Sequence, residues 1–364
     1  MTVLFGRRGL FWLAGAAWIV PAAALAQPVS ASIAKQATAQ VATQTASHPA
    51  AQATAQASNP IPTDPRSWLA RMNTAATTAN YQGTMVFSSG VTMSSSRVWH
   101  YCVGDQTYER LEALDGRQQD IVRHNDAVHT IWPQARVAVL ERRETLAGWS
   151  TTPQDVDPQA LEQYELKREA ASRIAGREAA VLLLEPRDAL RYAQRLWADL
   201  VTGLMLRADT LGLGTPRPVL ESTAFSEVEI GVRAQPERVL GATRKLEGYK
   251  MVKPQQRRTT LEAEGWALAR PVDGFRLAGC VRRGMDGAGD EDPVLQTVFT
   301  DGLTHVSLFI EPVKPQSRRS ESQAQQGATA AITVRRGEHW ITAVGDVPPA
   351  TLKLFADAVE RRRP

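Results

Sequence analysis

Two cysteines and three histidines are the side chains of this chain whose types could support redox or metal chemistry. Cys102 and Cys280 could pair in an oxidising compartment, where their bridge would join two predicted domains. A disulfide requires Cα atoms within about 7 Å, and the favoured alternative is two separately buried thiols. His100, His124 and His129 could ligate zinc. They fall on separate predicted strands without a supporting cysteine, so ordinary strand histidines are favoured over a metal site.

Two pairs of carboxylates could act as a general acid and a general base. Asp115 with Asp120, and Glu109 with Glu112, lie in a turn-rich stretch, where acidic residues are far more often solvated turn residues. The chain also lacks the Gly-x-Ser-x-Gly, His-Glu-x-x-His, phosphate-loop and Cys-x-x-Cys motifs. The sequence therefore predicts a binding protein with no catalytic residue, no metal and no cofactor.

The first 26 residues have the features of a secretory signal peptide. Arg7 and Arg8 precede an apolar run over residues 10–20, and small residues lead to a cleavage site between Ala26 and Gln27. The run is shorter than the roughly 20 residues that a membrane span needs. Sec export is favoured over the twin-arginine alternative that the Arg pair raises. We expect a soluble periplasmic protein without an amino-terminal lipid, because residue 27 is not cysteine.

Composition limits the classes of partner. Without residues 1–26 the chain carries 40 basic and 38 acidic residues, a balance that argues against nucleic acid as a partner. Residues 27–64 are rich in Ala, Gln and Thr and lack aromatic side chains, which predicts a disordered segment. The sequence leaves both a monomer and a homo-oligomer open.

The remaining chain predicts two folded domains of mostly antiparallel β structure. Asp64-Pro65 is a helix start, followed by short strands that Gly, Asp and Asn separate. Residues 233–264 are charged and lack apolar periodicity, so they are predicted as a linker between a large domain at 65–232 and a small domain at 265–364. Within the small domain we expect a polar loop over 318–327 and a final helix from Pro348.

A set of short motifs recurs here in an order that resembles the RseB/MucB family. No single motif is specific, but together they span roughly residues 66–232 and 265–364. In the large domain they are Trp68-Leu69, Tyr81-Gln82-Gly83, Ala175-Gly176-Arg177-Glu178, Glu185-Pro186-Arg187-Asp188 with Arg191-Tyr192, Leu196-Trp197-Ala198-Asp199 and Thr202-Gly203-Leu204. In the small domain they are Trp266-Ala267-Leu268, Gly274-Phe275, Thr300-Asp301-Gly302-Leu303, Val306 to Pro312 and Gly345 to Thr351.

The resemblance implies a fold and a function. The fold would be α+β with a large lipoprotein-carrier-like (LolA-like) sheet curved over a helix, followed by a smaller α+β domain. The function would be negative regulation of sigma-E: binding the periplasmic part of a membrane anti-sigma factor (RseA/MucA-like) and blocking its cleavage by a DegS-type protease. Lipopolysaccharide or another lipid would release the partner.

A curved sheet of this kind encloses an apolar cavity suited to acyl chains. Candidates for its lining share an apolar side chain on a predicted strand: Met85, Phe87, Trp99, Trp132, Leu196, Leu204 and Leu206. For any one of them, packing against the helix is the favoured alternative. A second function, that of a lipid or lipoprotein carrier, would use the same cavity but would not need the small domain.

Overall fold

The computed structural model describes residues 64–142, 160–254, 256–284, 293–314 and 319–362, together with Pro62. The predicted signal peptide and cleavage site, and the predicted disordered segment up to Asp64 except for Pro62, lie outside these residues. The described residues belong to one compact unit. We call residues 64–252 the large-sheet region and residues 256–362 the small-sheet region.

Helix α1 spans Pro65–Thr78 and begins where the sequence predicts. The Asp64 Oδ1 accepts a hydrogen bond of 2.9 Å from the backbone N–H of Ser67, a cap typically worth about 1 kcal/mol. Proline at the first helical position has no N–H to leave unsatisfied. The apolar face of the helix, which includes Trp68 and Met72, is buried.

The large sheet contains twelve strands. Their bounds are β1 Tyr81–Ser89, β2 Thr92–Val103, β3 Gln106–Ala113, β4 Asp120–His124, β5 Ala127–Trp132, β6 Val137–Arg142, β7 Tyr164–Ile174, β8 Arg177–Pro186, β9 Ala193–Asp199, β10 Met205–Leu211, β11 Val219–Ile230 and β12 Lys250–Val252. The order is β12-β6-β5-β4-β3-β2-β1-β11-β10-β9-β8-β7. Every pair is antiparallel except β12 with β6.

The β7 end of this sheet is strongly curved. Strands β7 and β11 stand four places apart, which in a flat sheet would separate them by about 19 Å. They nevertheless have Cα atoms within 8 Å of each other. Both faces of β8 are consequently buried: Leu182 and Leu184 pack with α1, whereas Val181 packs in a second cluster around Phe225. The curved end thus encloses apolar side chains on its own.

The segment predicted as a linker, residues 233–264, packs on both sheets. Helix α2 (Pro236–Leu240) places the fully buried Val239 against Trp99 and Tyr101 of β2. Strand β12 then extends the large sheet, and β13 (Gln256–Arg258) pairs with the small sheet. Because this segment alternates short elements and turns, its buried positions show no single period.

The small-sheet region contains a seven-stranded antiparallel sheet, a helix and a two-stranded ladder. The remaining elements are β14 Trp266–Leu268, β15 Arg276–Arg283, β16 Val294–Thr300, β17 His305–Pro312, β18 Ser322–Gln326, β19 Thr329–Arg336, β20 His339–Gly345, α3 Pro349–Ala358 and β21 Val359–Arg361. The sheet order is β13-β15-β16-β17-β20-β19-β18, and β14 pairs with β21. Helix α3 buries Leu352 and Phe355 in the core of this region.

The predicted α+β class with mostly antiparallel strands is confirmed, as is a large sheet that curves and packs on a helix. The predicted loop over 318–327 is wrong for Ser322–Gln326, which form the edge strand β18. Most of β18 is exposed. Backbone pairing with β19 holds it in place, so its side chains need not alternate between apolar and polar.

Candidate binding surfaces and the junction between the sheets

The three histidines make local structural contacts. The His100 ring stacks on Tyr81 with centroids 4.8 Å apart, and its Nδ1 lies 2.9 Å from the Ala79 carbonyl. His124 stacks on Tyr108, and burial lowers the pKa of His129. Within the described parts of the chain, no group of three or more His, Cys, Asp or Glu residues could hold a metal ion.

The four carboxylates considered as acid/base pairs have structural partners as well. Asp115 Oδ2 accepts hydrogen bonds from the backbone and hydroxyl of Ser95. Asp120 forms an ion pair with Arg110 at 2.7 Å, and Glu112 lies 3.7 Å from the same guanidinium. Glu109 pairs with Arg123.

Both cysteines are free thiols. The Cys102 Sγ donates to the Thr77 carbonyl at 2.9 Å, and Cys280 is buried in the small-sheet core. Burial raises the pKa of the Cys102 thiol, and it raises the pKa of Cys280 to about 11.

The seven candidate lipid-contacting residues do not line one common cavity. Leu196 belongs to the α1 core, and Trp99 belongs to the cluster under α2. Leu206 and Met85 belong to the Phe225 cluster at the curved end. The other three differ in burial: Leu204 is buried, whereas Phe87 and Trp132 are half-buried.

The Phe225 cluster is the part of this set with features of a binding surface. It contains buried and half-buried members: Ala179, Val181, Trp197, Leu206 and Phe225, with Tyr81, Met85, Ile174, Ala175, Val228 and Ile230 at its margin. The Arg207 guanidinium lies 4.6 Å from the Trp197 ring centroid, and Asp209 holds it through two bonds of 2.7 Å. A cation beside an apolar, aromatic surface suits an anionic amphiphile.

Two cavities of about 200 and 410 Å³ lie in the small-sheet region. Trp266, Leu295 and Ile310 line the first, Arg335 and Glu338 line the second, and they share Pro312 and His339. None of the seven candidate residues lines either cavity.

A buried ionic network joins the two regions. Arg191, just before β9, has no solvent-exposed side-chain surface. Its Nε lies 2.8 Å from Asp301 Oδ2 of the small-sheet region, an ion pair without hydrogen-bond alignment. Its Nη1 pairs with Asp188 at 2.6 Å, and its Nη2 donates to the Asp273 carbonyl at 2.9 Å. The guanidinium also lies 4.9 Å from the Phe275 ring centroid.

Asp301 has partners on both sides of this junction. The Tyr164 hydroxyl donates to its Oδ2 at 2.9 Å, while its Oδ1 accepts the backbone N–H groups of Leu303 and Thr304. Burial, reinforced by the Asp301 charge, raises the pKa of Tyr164 well above its ordinary value. All the polar groups named here are therefore engaged, as buried ions require.

The junction also exchanges apolar side chains. Leu303 of the small-sheet region packs against the α1 core, and Leu190 of the large-sheet region packs against the small-sheet core. The Thr351 hydroxyl donates to the Leu190 carbonyl at 2.8 Å. At Gly274, φ is +75° and a Cβ would lie 2.7 Å from the Arg191 guanidinium, so glycine is required there.

Several sequence motifs meet at this junction. Arg191, Gly274-Phe275, Asp301 and Thr351 come from four separate words of the pattern. Sequence reasoning did not select Arg191 or Asp301 as functional residues. Their signal was only their membership of ordered motifs, since no local pattern brings positions 191 and 301 together.

Among the described residues, no helix has the length and apolar character to cross a membrane. The polar and ionic contacts above position surfaces and have no arrangement of nucleophile and base. The chemistry of these surfaces is that of binding.

Comparison with known proteins gives two family models that follow one another along the chain. The MucB/RseB N-terminal domain matches residues 64–243, and the MucB/RseB C-terminal domain matches residues 260–360. The sigma factor AlgU regulatory protein MucB of Pseudomonas aeruginosa is 29% identical over 299 residues, covering 80% of this chain and 90% of that protein. The sigma-E factor regulatory protein RseB of Haemophilus influenzae is 24% identical, covering 81% of this chain and 90% of that protein.

Solved structures give the same result. MucB in complex with MucA(peri) has a TM-score of 0.64 and 26% identity, covering 83% of this chain and all of that one. The MucA/MucB complex of Pseudomonas aeruginosa has a TM-score of 0.64 and 27% identity, covering 82% of this chain and 99% of that one. The similarity extends over both sheets and the junction between them.

Proposed function

The chain belongs to the MucB/RseB family, and from that premise we propose that it is a periplasmic regulator that binds the periplasmic part of a membrane anti-sigma factor. Binding covers the segment of the partner that a DegS-type protease would cut first, and thereby keeps sigma-E inactive. A lipid signal, such as lipopolysaccharide, binds the regulator and releases the partner.

One observation carries the binding proposal. The structures with TM-scores of 0.64 to this chain are of MucB bound to MucA, and they match it over more than four-fifths of its length. The match includes both regions that Arg191 and Asp301 hold together. A junction that buries ions and exchanges apolar side chains fixes the relative placement of two surfaces, which suits recognition of one extended partner.

The Phe225 cluster supports the lipid part of the proposal. Acyl chains would contact half-buried apolar side chains such as Met85, and the Arg207 guanidinium would attract a phosphate or carboxylate headgroup. Lipid and partner would then be linked ligands: each weakens binding of the other by the same coupling free energy, typically about 1–3 kcal/mol.

The alternative function, a lipid or lipoprotein carrier, has less support. A carrier needs only the curved sheet, whereas here the small-sheet region contributes Leu303 to the α1 core and Asp301 to the buried network. The sequence relatives reported above carry the names of regulatory proteins. We therefore assign the chain a binding role without turnover.

A binding and protection experiment tests this function. The chain from Gln27 onward would be titrated into the labelled periplasmic segment of the anti-sigma factor, and DegS-type cleavage of that segment would be followed with and without the regulator. We expect saturable binding and slower cleavage. A chain that binds acyl lipid or a lipoprotein but leaves the segment unbound and fully cleavable would contradict the regulator and favour the carrier.

A further inference from the structure

A second contact between the two regions has the chemistry of a proton-dependent latch. It joins Glu221 on β11 to the turn between β18 and β19, where Gly327 and Ala328 lie. The Glu221 Oε1 accepts hydrogen bonds from the Ser89 hydroxyl at 3.0 Å and from the Ala328 backbone N–H at 3.3 Å. The carboxyl group therefore lies where the turn meets the large sheet.

The approach of the turn is as close as a backbone allows. A Cβ on Gly327 would lie 2.1 Å from the Ser89 Oγ and 2.8 Å from Glu221, and φ at Gly327 is +59°. Neighbouring contacts continue the seam: the Gln325 amide donates to the Tyr192 hydroxyl, and the Gln326 amide donates to the Thr92 hydroxyl. The turn is thus a docked part of the junction.

The charges at this contact are of one sign. Asp346, which follows β20, lies near Glu221 and accepts a hydrogen bond from Thr329 at 2.6 Å. Tyr192 is the third titratable group there, and burial raises its pKa further from neutrality. Within the described parts of the chain, neither Glu221 nor Asp346 has a basic partner within ion-pair distance. Closing the contact with both carboxylates ionised places two like charges in a desolvated seam.

We propose that the Glu221 contact is a latch between the two regions that closes when its carboxyl group is protonated and loosens when that group ionises. The proposal concerns the junction itself and does not depend on which partner the protein binds. Loosening the latch would leave the Arg191 network in place, so the change would be confined to this part of the junction.

The direction of the pH dependence follows from linkage. Burial, together with the charge of Asp346, raises the pKa of Glu221 to about 7 in the closed contact, above the 4.5 of a solvated glutamate. The closed form therefore binds more protons than the open form between these two values. Its advantage is complete below pH 4.5 and falls as the pH rises towards 7. Between pH 5.5 and 7.5 we expect the closing equilibrium to weaken on the order of tenfold.

Hydrogen exchange of the mature protein measures this equilibrium at the turn. The readout is the protection of the amides of residues 327–329, corrected for intrinsic exchange, at pH 5.5 and 7.5. In the wild type we expect about tenfold more protection at pH 5.5. Glu221→Gln should give equal protection at both values, because the neutral amide side chain does not ionise. Glu227→Gln is the matched control on the same strand, and it should keep the wild-type dependence.

Two further variants separate the latch from general stability. Asp346→Asn should raise protection at pH 7.5 towards the value at pH 5.5, since it removes the like charge. Gly327→Ala should lose protection at both values, whereas Gly337→Ala, with φ of +58° but no atom within 4 Å of its Cβ, should not. A wild-type turn with equal protection at both pH values would overturn the proposal. Persistence of the wild-type pH dependence in Glu221→Gln would overturn it as well.

Discussion

At the scale of single residues, Arg191 makes the most demanding contact in the molecule. Its guanidinium is fully buried and depends on carboxylates from both regions, Asp188 and Asp301. Removing one partner of a buried ion pair leaves an uncompensated charge, and this loss exceeds the net value of the intact pair. Stability of the junction should therefore respond far more strongly to one substitution than to two.

We predict that Arg191→Met lowers the free energy of unfolding by about 3–5 kcal/mol. Asp301→Asn keeps an oxygen that can accept the turn hydrogen bonds, and the double variant should lose less than the sum of the two single variants. Urea unfolding of the four proteins gives the coupling. Arg336→Met is the control, because its pair with Asp357 is exposed and should contribute about 0–1 kcal/mol. Strictly additive single effects would contradict a coupled pair.

The cysteines give a second prediction at this scale. Cys102 and Cys280 are free in the structure, and the raised pKa of each thiol disfavours the reactive thiolate. Slow labelling in the native protein and two titratable thiols after unfolding without reductant are expected. Reductant should leave stability unchanged, whereas a bridge would contribute about 2–4 kcal/mol. A count of zero thiols would refute this.

At the scale of elements, helix α2 decides where the large-sheet region can be cut. A chain ending at Gly231 lacks Val239 and uncovers Trp99 and Tyr101. Each aromatic side chain that loses its cover costs about 1.5–3 kcal/mol. A chain ending at Lys253 should therefore be more stable than one ending at Gly231, by about 3 kcal/mol or more.

The two truncations also test the division of labour between the sheets. We predict that each binds the anti-sigma factor segment more weakly than the full mature chain, because the small-sheet region and the junction are missing. Equilibrium unfolding and binding titrations on the same preparations separate stability from affinity. Undiminished binding by either truncated chain would place the whole partner surface on the large sheet.

Elements with local signals were predictable from the sequence. The start of α1 at Asp64-Pro65, the short helical turn that feeds β7 at Tyr164, and the hairpin of β9 with β10 were each predicted and are found. In every case a cap, a turn or an apolar period lies within a few residues of the element it specifies.

Elements held by distant partners were not predictable. Strand β18 has no apolar alternation, because its place depends on backbone pairing with β19. Helix α2 has a single buried residue, Val239, whose partners lie more than a hundred residues earlier. The Arg191–Asp301 pair and the Glu221 contact are tertiary in the same sense. For the candidate site, composition indicated apolar strand residues but could not assign them to three different clusters.

At the scale of the whole molecule, regulation by lipid requires that the cavity and the partner surface be coupled. The curved end of the large sheet provides apolar surface, and β1 runs along it with Tyr81 and Met85 in the Phe225 cluster. Phe87 follows Met85 by two residues and so continues the same face of the strand. It is half-buried, so a small polar side chain there need not leave a closed void.

We predict that Phe87→Ser leaves the fold and partner affinity in place but weakens binding of acyl chains. The lipid concentration that releases the anti-sigma factor should then rise, by up to the factor that a coupling of about 1–3 kcal/mol allows. Val86→Ser, on the opposite face of the same strand, is the matched control and should release its partner as the wild type does. The measurement is displacement of a labelled anti-sigma segment by lipopolysaccharide at fixed protein concentration. Release of the partner at the wild-type lipid concentration by Phe87→Ser would mean that this face of β1 is not the sensor, and the lipid would have to act at another surface of the molecule.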